Sequence, residues 1–468
     1  MYLGFAIAAA VLHAALSNPI WRKLVMFAAN VAFIASFTTS PRALLPFICF
    51  LALGYISVWF ARFNKGNISS TFFIVGMIAI FCWLKQYWFL SFINFLPGVY
   101  LTVGLSYAFF RIMGMIVDAR TNVEIARVGP ITFFNFAMNF PTMIAGPIDR
   151  FQEFSKPSLP LTQADVAAGM ERICIGFFKV LVLSTLVSKQ QTAATTALIA
   201  AGSGIHGVTA AVASFGLYPV FLYFNFSGYT DIVIGIGFLF GKRYPENFNA
   251  PFSSFNFIDF WSRWHMSLSF WLRDYVYTPF LKFMMQTNMP RSLDPYLGVV
   301  SYFLTFFLIG IWHGSTAIFA IYGLLLAFGV SVNKLYQIIA ARKLGKKRYR
   351  ELSTNPLYRF VCRGLTYTWY CFCMICFWNK GQAALQLTGS LGIAGMVASF
   401  LVLLVIVTIA LNLFEEGLAA FRSHVSVSLF GDYAPYARAM FLSVLVFACI
   451  ASAILNQKIN ADIIYQAF

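Results

Sequence analysis

Charge is what this chain has least of. Only 10% of its 468 residues are Asp, Glu, Lys or Arg, and the two acids together number 16. Soluble domains carry about 25% charged residues, so an ordinary water-facing surface is excluded. The eight cysteines are too few for a disulfide framework, and most of them sit in apolar stretches. Cys371, Cys373 and Cys376 form a C-x-x-C cluster in YCFCMICFW, but no His or carboxylate stands close by. On an apolar helix such thiols read as core packing. No metal site is implied. The opening MYLGFAIAAAVLHAALSNPIWRK has no basic stretch before its apolar run, and more hydrophobic segments follow at once. It reads as a retained first helix and not as a signal peptide. Internal repeats, low-complexity tracts and an appended soluble domain are all missing, so residues 1–468 read as a single membrane-embedded domain. The basic residues are scattered among apolar segments, which argues against nucleic-acid binding.

What the chain has in abundance is apolar bulk. Hydrophobic residues make up 60% of it, including 53 Phe, 22 Tyr and 10 Trp. The runs are long and unbroken, which predicts helices; a membrane β-barrel would show short alternating segments. Crossing a bilayer takes roughly 17 to 25 apolar residues. Candidate spans lie near 1–17, 24–39, 43–61, 71–93, 97–117, 131–147, 169–188, 208–240, 297–330, 361–378, 391–413 and 438–456. The fold class is an all-α polytopic membrane protein of about eleven spans.

Lys and Arg total 33, leaving a formal charge of +17. The positive-inside bias accounts for such an excess, and docking of an anionic partner is compatible with it. Arg342, Lys343, Lys346, Lys347, Arg348 and Arg350 crowd residues 341–363, read as a polar loop on the cytoplasmic face. Residues 241–296 mix charge and aromatics too densely for a simple span. They predict amphipathic or re-entrant helices, which a membrane admits only where protein or a watery cavity shields them.

Ionisable residues at membrane depth are functional candidates. Of the five histidines, His206 and His424 lie in polar stretches and read as surface residues, and His13 as a packing or interfacial one. His313 stands apart, in SYFLTFFLIGIWHGSTAIFAIYG, which has no charged side chain. Gly310 and Gly314 flank it, Ser315 and Thr316 follow, and the open backbone beside the ring reads as room for a substrate. Apolar surroundings disfavour the charged imidazolium, and a neutral imidazole acts as a general base. It would take a hydroxyl proton as that oxygen attacks an acyl carbonyl, then return it to the departing thiolate. His265 lies in FWSRWHMSLSFWLRDYVYTPF, where Trp261, Trp264, His265, Leu268 and Trp271 fall at helical spacings. One amphipathic helix with an aromatic face is expected there, with His265 as its structural organiser.

Five motifs in order carry a resemblance: GLSYAFFRIMGMIVD at 104–118, FPTMIAGPIDRF at 140–151, FNFSGYTDIVIGIGFLFGKRYPENFNAPF at 224–252, DFWSRWHMSLSFWLRDYVY at 259–277 and GIWHG at 310–314. They span a core of about 100–330. The sequence resembles the membrane-bound O-acyltransferase (MBOAT) family, in the bacterial branch holding alginate O-acetyltransferases and the teichoic-acid D-alanyl transfer membrane subunit. The resemblance implies a ring of transmembrane helices with re-entrant or amphipathic helices around a central tunnel. It makes His313 the catalytic histidine and His265 a second histidine of the tunnel. Asn249, Trp264, Arg273, Asp274 and Trp312 are its motif-based supporting or tunnel-lining residues. FSGYTDIVIGIG and PENFN sit closer to the acetyltransferase pattern, whereas GPIDRF and WHMSLSFWLRDYVY sit closer to the D-alanyl one. A PLGGNR-like stretch, expected after the tryptophan-rich segment in acetyltransferases, is replaced by TPFLKFMMQTN.

The implied reaction moves a small acyl group, acetyl or D-alanyl, from a cytoplasmic thioester to hydroxyls of an extracytoplasmic envelope glycan or polymer. No bound cofactor is expected; the donor is acyl-CoA or an acyl carrier protein. Accessory envelope acyl-transfer proteins and membrane lipid are the other expected partners, and the bacterial inner membrane the expected location. A transporter or flippase of an envelope precursor is the alternative reading, since it too would place polar residues in broken helices.

Overall fold

The computed structural model describes residues 2–61, 67–93, 100, 102–287, 289–378, 382–424 and 434–455. These residues gather into two compact units, the first drawn from Met1–Phe177 and Phe226–Glu246, the second from Phe178–Asn225 and Asn247–Ile459. Among the described residues the regular structure is helical, and the one extended pairing is an isolated antiparallel bridge between Phe248 and Trp264.

The first unit opens with α1 (Tyr2–Ala15), α2 (Pro19–Ala35), α3 (Leu45–Ala61) and α4 (Asn67–Leu84). The start of α2 follows from its sequence: Asn18 accepts from the N–H groups of Ile20 and Trp21, and Pro19 occupies the first turn, where no N–H is needed. Then come α5 (Leu105–Asp118), α6 (Val123–Ala126), α7 (Pro130–Met138), α8 (Phe151–Phe154) and α9 (Gln163–Phe178). After a π-helical turn at Lys179–Ser184 come α10 (Thr185–Ala201) and the long α11 (Ile205–Leu239), whose last residues, from Phe226, belong to the first unit.

Within that unit, α9 and α11 touch backbone to backbone. A Cβ on Gly169 would lie 2.9 Å from the Gly235 carbonyl oxygen, and one on Gly176 only 2.6 Å from that of Gly228. Glycines seven apart on each helix thus make the seam, the small-residue contact by which helices associate in lipid. Arg172 closes it from the side, donating to Asp231 at 3.0 Å and to both oxygens of Glu246 at 2.6 and 2.5 Å.

The second unit continues with α12 (Phe257–Trp261), α13 (Met266–Leu272), a π-helical turn at Arg273–Tyr277, and α14 (Thr278–Met285). Then follow α15 (Asp294–His313), α16 (Ile318–Leu344), α17 (Lys346–Thr354), α18 (Pro356–Trp378), α19 (Gln382–His424) and α20 (Ala434–Leu455). A non-helical Gly392, at φ +65°, interrupts α19.

Seven helices among the described residues are long and apolar enough to cross a membrane: Pro41–Ala61, Ile205–Leu239, Arg291–His313, Ile318–Leu344, Pro356–Trp378, Gly389–Ala420 and Tyr436–Leu455. Two shorter apolar helices, Tyr2–Ala15 and Thr71–Leu84, accompany them. Ile393 is 87% exposed and Phe447 73%, as lipid-facing side chains should be. The chain is a multi-pass membrane protein.

Three expectations change. The stretch 297–330 is two helices broken after His313, not one span. The stretch 131–147 is α-helical only to Met138, because Asn139 leaves helical geometry and a 3₁₀ turn, Phe140–Thr142, follows with Pro141 inside it. Residues 341–363 are helix, not loop. Gly345 at φ +81° and the Asn355–Pro356 step divide that stretch, and its Lys and Arg side chains at 342–350 stay exposed. The first residues of the expected span at 97–117 lie outside the described ones, as does the last residue of 438–456.

Candidate active site

The site grows from residues 247–266. The Phe248–Trp264 bridge and the bond from the Asn249 N–H to the Arg263 carbonyl, at 3.0 Å, lay two stretches of backbone side by side. Asn247, fully buried, then fastens the next turn. Its carbonyl accepts from the Met266 N–H at 2.9 Å, and its side-chain oxygen accepts from the Ser267 N–H at 3.2 Å and the Ser267 hydroxyl at 2.6 Å.

Between these anchors His265 is driven into the left-handed region, φ +45° and ψ 52°, just before α13. For a residue with a side chain this conformation costs about 1–2 kcal/mol, and the bonds on either side hold it. The single amphipathic helix expected from the spacing of Trp261 to Trp271 is therefore broken at 262–265. The aromatic residues still share burial: Trp261, Trp264, Leu268 and Trp271 are each at most 6% exposed. Trp264 stacks on Phe260 at 5.6 Å and meets Tyr370 of α18 at 5.2 Å.

His313 is the last residue of α15 and is 4% exposed; His265 is 1% exposed. One indole joins them: the Trp312 ring lies 6.5 Å from the His265 ring and 4.6 Å from that of His313. On its other sides the His313 imidazole meets Phe377 at 5.1 Å and Tyr322 at 5.8 Å. Two residues 48 positions apart in sequence thus share one aromatic enclosure.

The glycines beside His313 do not leave space for a substrate, as the sequence suggested. A Cβ on Gly310 would fall 2.1 Å from the Gly323 Cα, and one on Gly314 would fall 2.0 Å from the Phe319 ring. Both positions are filled by α16. They let α15 and α16 cross at backbone contact and fix where α15 ends.

The other sequence candidates divide. Trp312 belongs to the enclosure, whereas Trp264 packs against Phe260 and Tyr370. Asn249 is exposed and contributes its backbone N–H; the buried amide that ties the segment together is Asn247, two residues earlier. Arg273 and Asp274 pair with each other at 2.8 Å on the exposed side of the π-helical turn. Arg273 also borders a cavity of about 180 Å³ with Trp261, Ser269, Tyr302 and Ile309. Elsewhere His13 is buried edge-on against Phe240 at 5.2 Å, His206 is exposed, and the His424 side chain lies outside the described residues. Cys371 and Cys373 are fully buried on α18.

Sequence reasoning passed over Arg111. It is 1% exposed in α5 and donates to the Ala137 carbonyl at 3.1 Å, the Thr142 carbonyl at 3.1 Å and the Thr142 hydroxyl. Those bonds fix the irregular 139–150 stretch. A cation inside an apolar helix was the available signal.

Helices long enough to span a bilayer, with two imidazoles buried around one indole, define a class: a polytopic membrane protein with an enclosed histidine pair. The comparisons are specific. The model of the MBOAT, membrane-bound O-acyltransferase family matches residues 68–377, more than half of the chain, which therefore belongs to that family. It is 31% identical over 286 residues to the teichoic acid D-alanyltransferase of Bacillus subtilis (strain 168), covering 59% of this chain and 69% of that protein. To the probable alginate O-acetylase AlgI of Pseudomonas aeruginosa it is 32% identical over 252 residues, 53% of this chain. That match covers 46% of AlgI, so the chain spans about half the length of this relative. The family makes this chain an O-acyltransferase.

Proposed function

We propose that the enzyme transfers a small acyl group, acetyl or D-alanyl, from a thioester donor on the cytoplasmic side of the bacterial inner membrane to hydroxyls of an extracytoplasmic envelope polymer. The observation that carries the chemistry is the pair of buried imidazoles sharing Trp312 at the end of α15. The relatives, named for teichoic acid and for alginate, support the class of acceptor.

His313 is the general base. Its ring nitrogen takes the acceptor hydroxyl proton as the oxygen attacks the thioester carbonyl. The new C–O bond forms, the C–S bond breaks, and the imidazolium returns the proton to the leaving thiolate. No acyl-enzyme is required, because donor and acceptor meet directly. His265 is the second polar group, positioned by its held left-handed backbone. Enclosure by Trp312, Tyr322 and Phe377 excludes water, which would otherwise compete with the acceptor for the thioester. The donor is acyl-CoA or an acyl carrier protein, with the basic segment 342–350 as the surface for an acidic carrier.

Feeding cells labelled acetate and labelled D-alanine separately, then releasing envelope label with mild base, tests the reading. One of the two labels should be released in a gene-dependent way. Equal release of both with and without the gene would remove both acyl assignments.

A further inference from the structure

In the first unit a cavity of about 370 Å³ lies apart from the histidine pair in sequence and carries cations of its own. Arg22, Lys23, Lys156 and Lys242 line it, with His13, and among the described residues none that lines it is acidic. Such a concentration of one sign is expensive unless an anion answers it.

Two of the cations, Lys242 and Arg22, are held in place by backbone carbonyls. The Lys242 ammonium donates to the Phe154 carbonyl at 2.9 Å and to that of Lys156 at 2.6 Å, which leaves its third hydrogen for a ligand. Arg22 donates through Nε to the Leu16 carbonyl at 3.3 Å, orienting its guanidinium. The nearest acids act from outside the lining: Glu153 pairs with Lys156, and Asp149 lends Lys242 its field. Behind the cations stand fixed amides: Asn135 donates to the Lys23 carbonyl at 2.9 Å, and Asn139 bonds the Tyr244 hydroxyl at 3.2 Å.

Pro19, Met26, Phe154, Pro157 and Phe240 add apolar wall, and Ser17, Thr132, Ser155 and Ser158 add hydroxyls. The helix α2, which supplies Arg22 and Lys23, and the end of α1 with its connection to α2 also present exposed apolar side chains. Leu12 is 53% exposed, Leu16 51%, Ile20 68% and Leu24 47%. Cations opening onto a greasy flank suit an amphiphile with a negative head better than a free solute.

We propose that this cavity binds the phosphate of an anionic phospholipid, its acyl chains lying along the exposed face of α1 and α2. The shared chemistry is a phosphate group; the test separates lipid from free phosphate. Purified full-length protein in neutral detergent is titrated with dioctanoyl phosphatidylglycerol, dioctanoyl phosphatidylcholine and inorganic phosphate. Binding is followed by native mass spectrometry. Phosphatidylglycerol should bind saturably and tighter than phosphatidylcholine. The double variant Arg22→Gln, Lys23→Gln should weaken it about tenfold or more without lowering the lipid-free melting temperature. A double variant of equal charge loss elsewhere, Lys282→Gln, Arg291→Gln, at two exposed cations of the second unit, should bind as the parent does. Equal weakening in both variants would reduce the effect to bulk charge and overturn the site. So would the absence of saturable binding. Competition by inorganic phosphate at matching concentration would overturn the lipid assignment and leave a free-phosphate site.

Discussion

Replacing Gly310 by Ala separates two roles for the glycine beside His313. In the structure the added methyl would stand 2.1 Å from the Gly323 Cα, 2.3 Å from its nitrogen and 3.0 Å from the Phe319 carbonyl oxygen. All three are backbone atoms, so no side chain can turn away. Carbon atoms pack at about 3.5–4.0 Å, so α15 and α16 must part by roughly 1.5 Å at the crossing. Overpacking of this kind costs about 1–3 kcal/mol. His313 sits one turn further along α15 and must shift with it, and a displacement of about 1 Å at a reacting group costs about 100-fold in rate. The Gly310→Ala protein should therefore insert in the membrane, melt several degrees lower in detergent, and lose about 100-fold in the rate of ester formation. Gly76→Ala, where an added methyl meets nothing within 4 Å, is the control and should change neither. Unchanged melting with only a raised KM would refute the packing argument and restore the glycine to the substrate.

Three further outcomes follow from other contacts. Asn247→Ala removes both side-chain bonds to Ser267 and should lower stability by about 1–3 kcal/mol, while Asn249→Ala should stay within about 0.5 kcal/mol, read by chemical or thermal unfolding in detergent. Burial lifts the Asp149 carboxyl to about 6, against the lowering effects of the Arg150 N–H, Arg111 and Lys242. Its folded-state value is above the unfolded one, so stability falls as pH rises from about 4 to about 6 and is level above. Asp149→Asn should then gain up to about 3 kcal/mol at pH 7 and almost nothing at pH 4; a gain equal at both pH values would contradict the burial argument. Gly176→Leu, set against the Gly228 carbonyl, should force α9 from α11 and lower the yield of folded protein in detergent.

The membrane character was legible because scarcity of charge has one physical reading at this length, and the burial of His313 because it stands in a long uncharged apolar run. The break at 262–265 was not legible. Trp261, Trp264, Leu268 and Trp271 repeat at helical spacing, and it is the hydrogen bonds that Asn247 accepts and the Asn249 N–H donates, more than ten residues earlier in sequence, that override the pattern. Gly310 misled for a related reason: a glycine beside a histidine looks like room until the partner helix supplies Gly323. The basic stretch at 341–363 looked like loop on charge alone, yet its Lys and Arg are good helix formers, and only Gly345 and Pro356 punctuate it. Arg111 was visible as a cation in an apolar helix and was passed over because its carbonyl partners lie on a different segment.

The central claim is that His313 moves the proton. Ester formation by His313→Ala and His313→Gln proteins, measured as base-labile envelope label per unit of correctly folded, membrane-inserted enzyme, tests it most directly. Loss to background in both, with melting temperatures near that of the parent, is the predicted result. Esterification at the parent rate by either variant would contradict it.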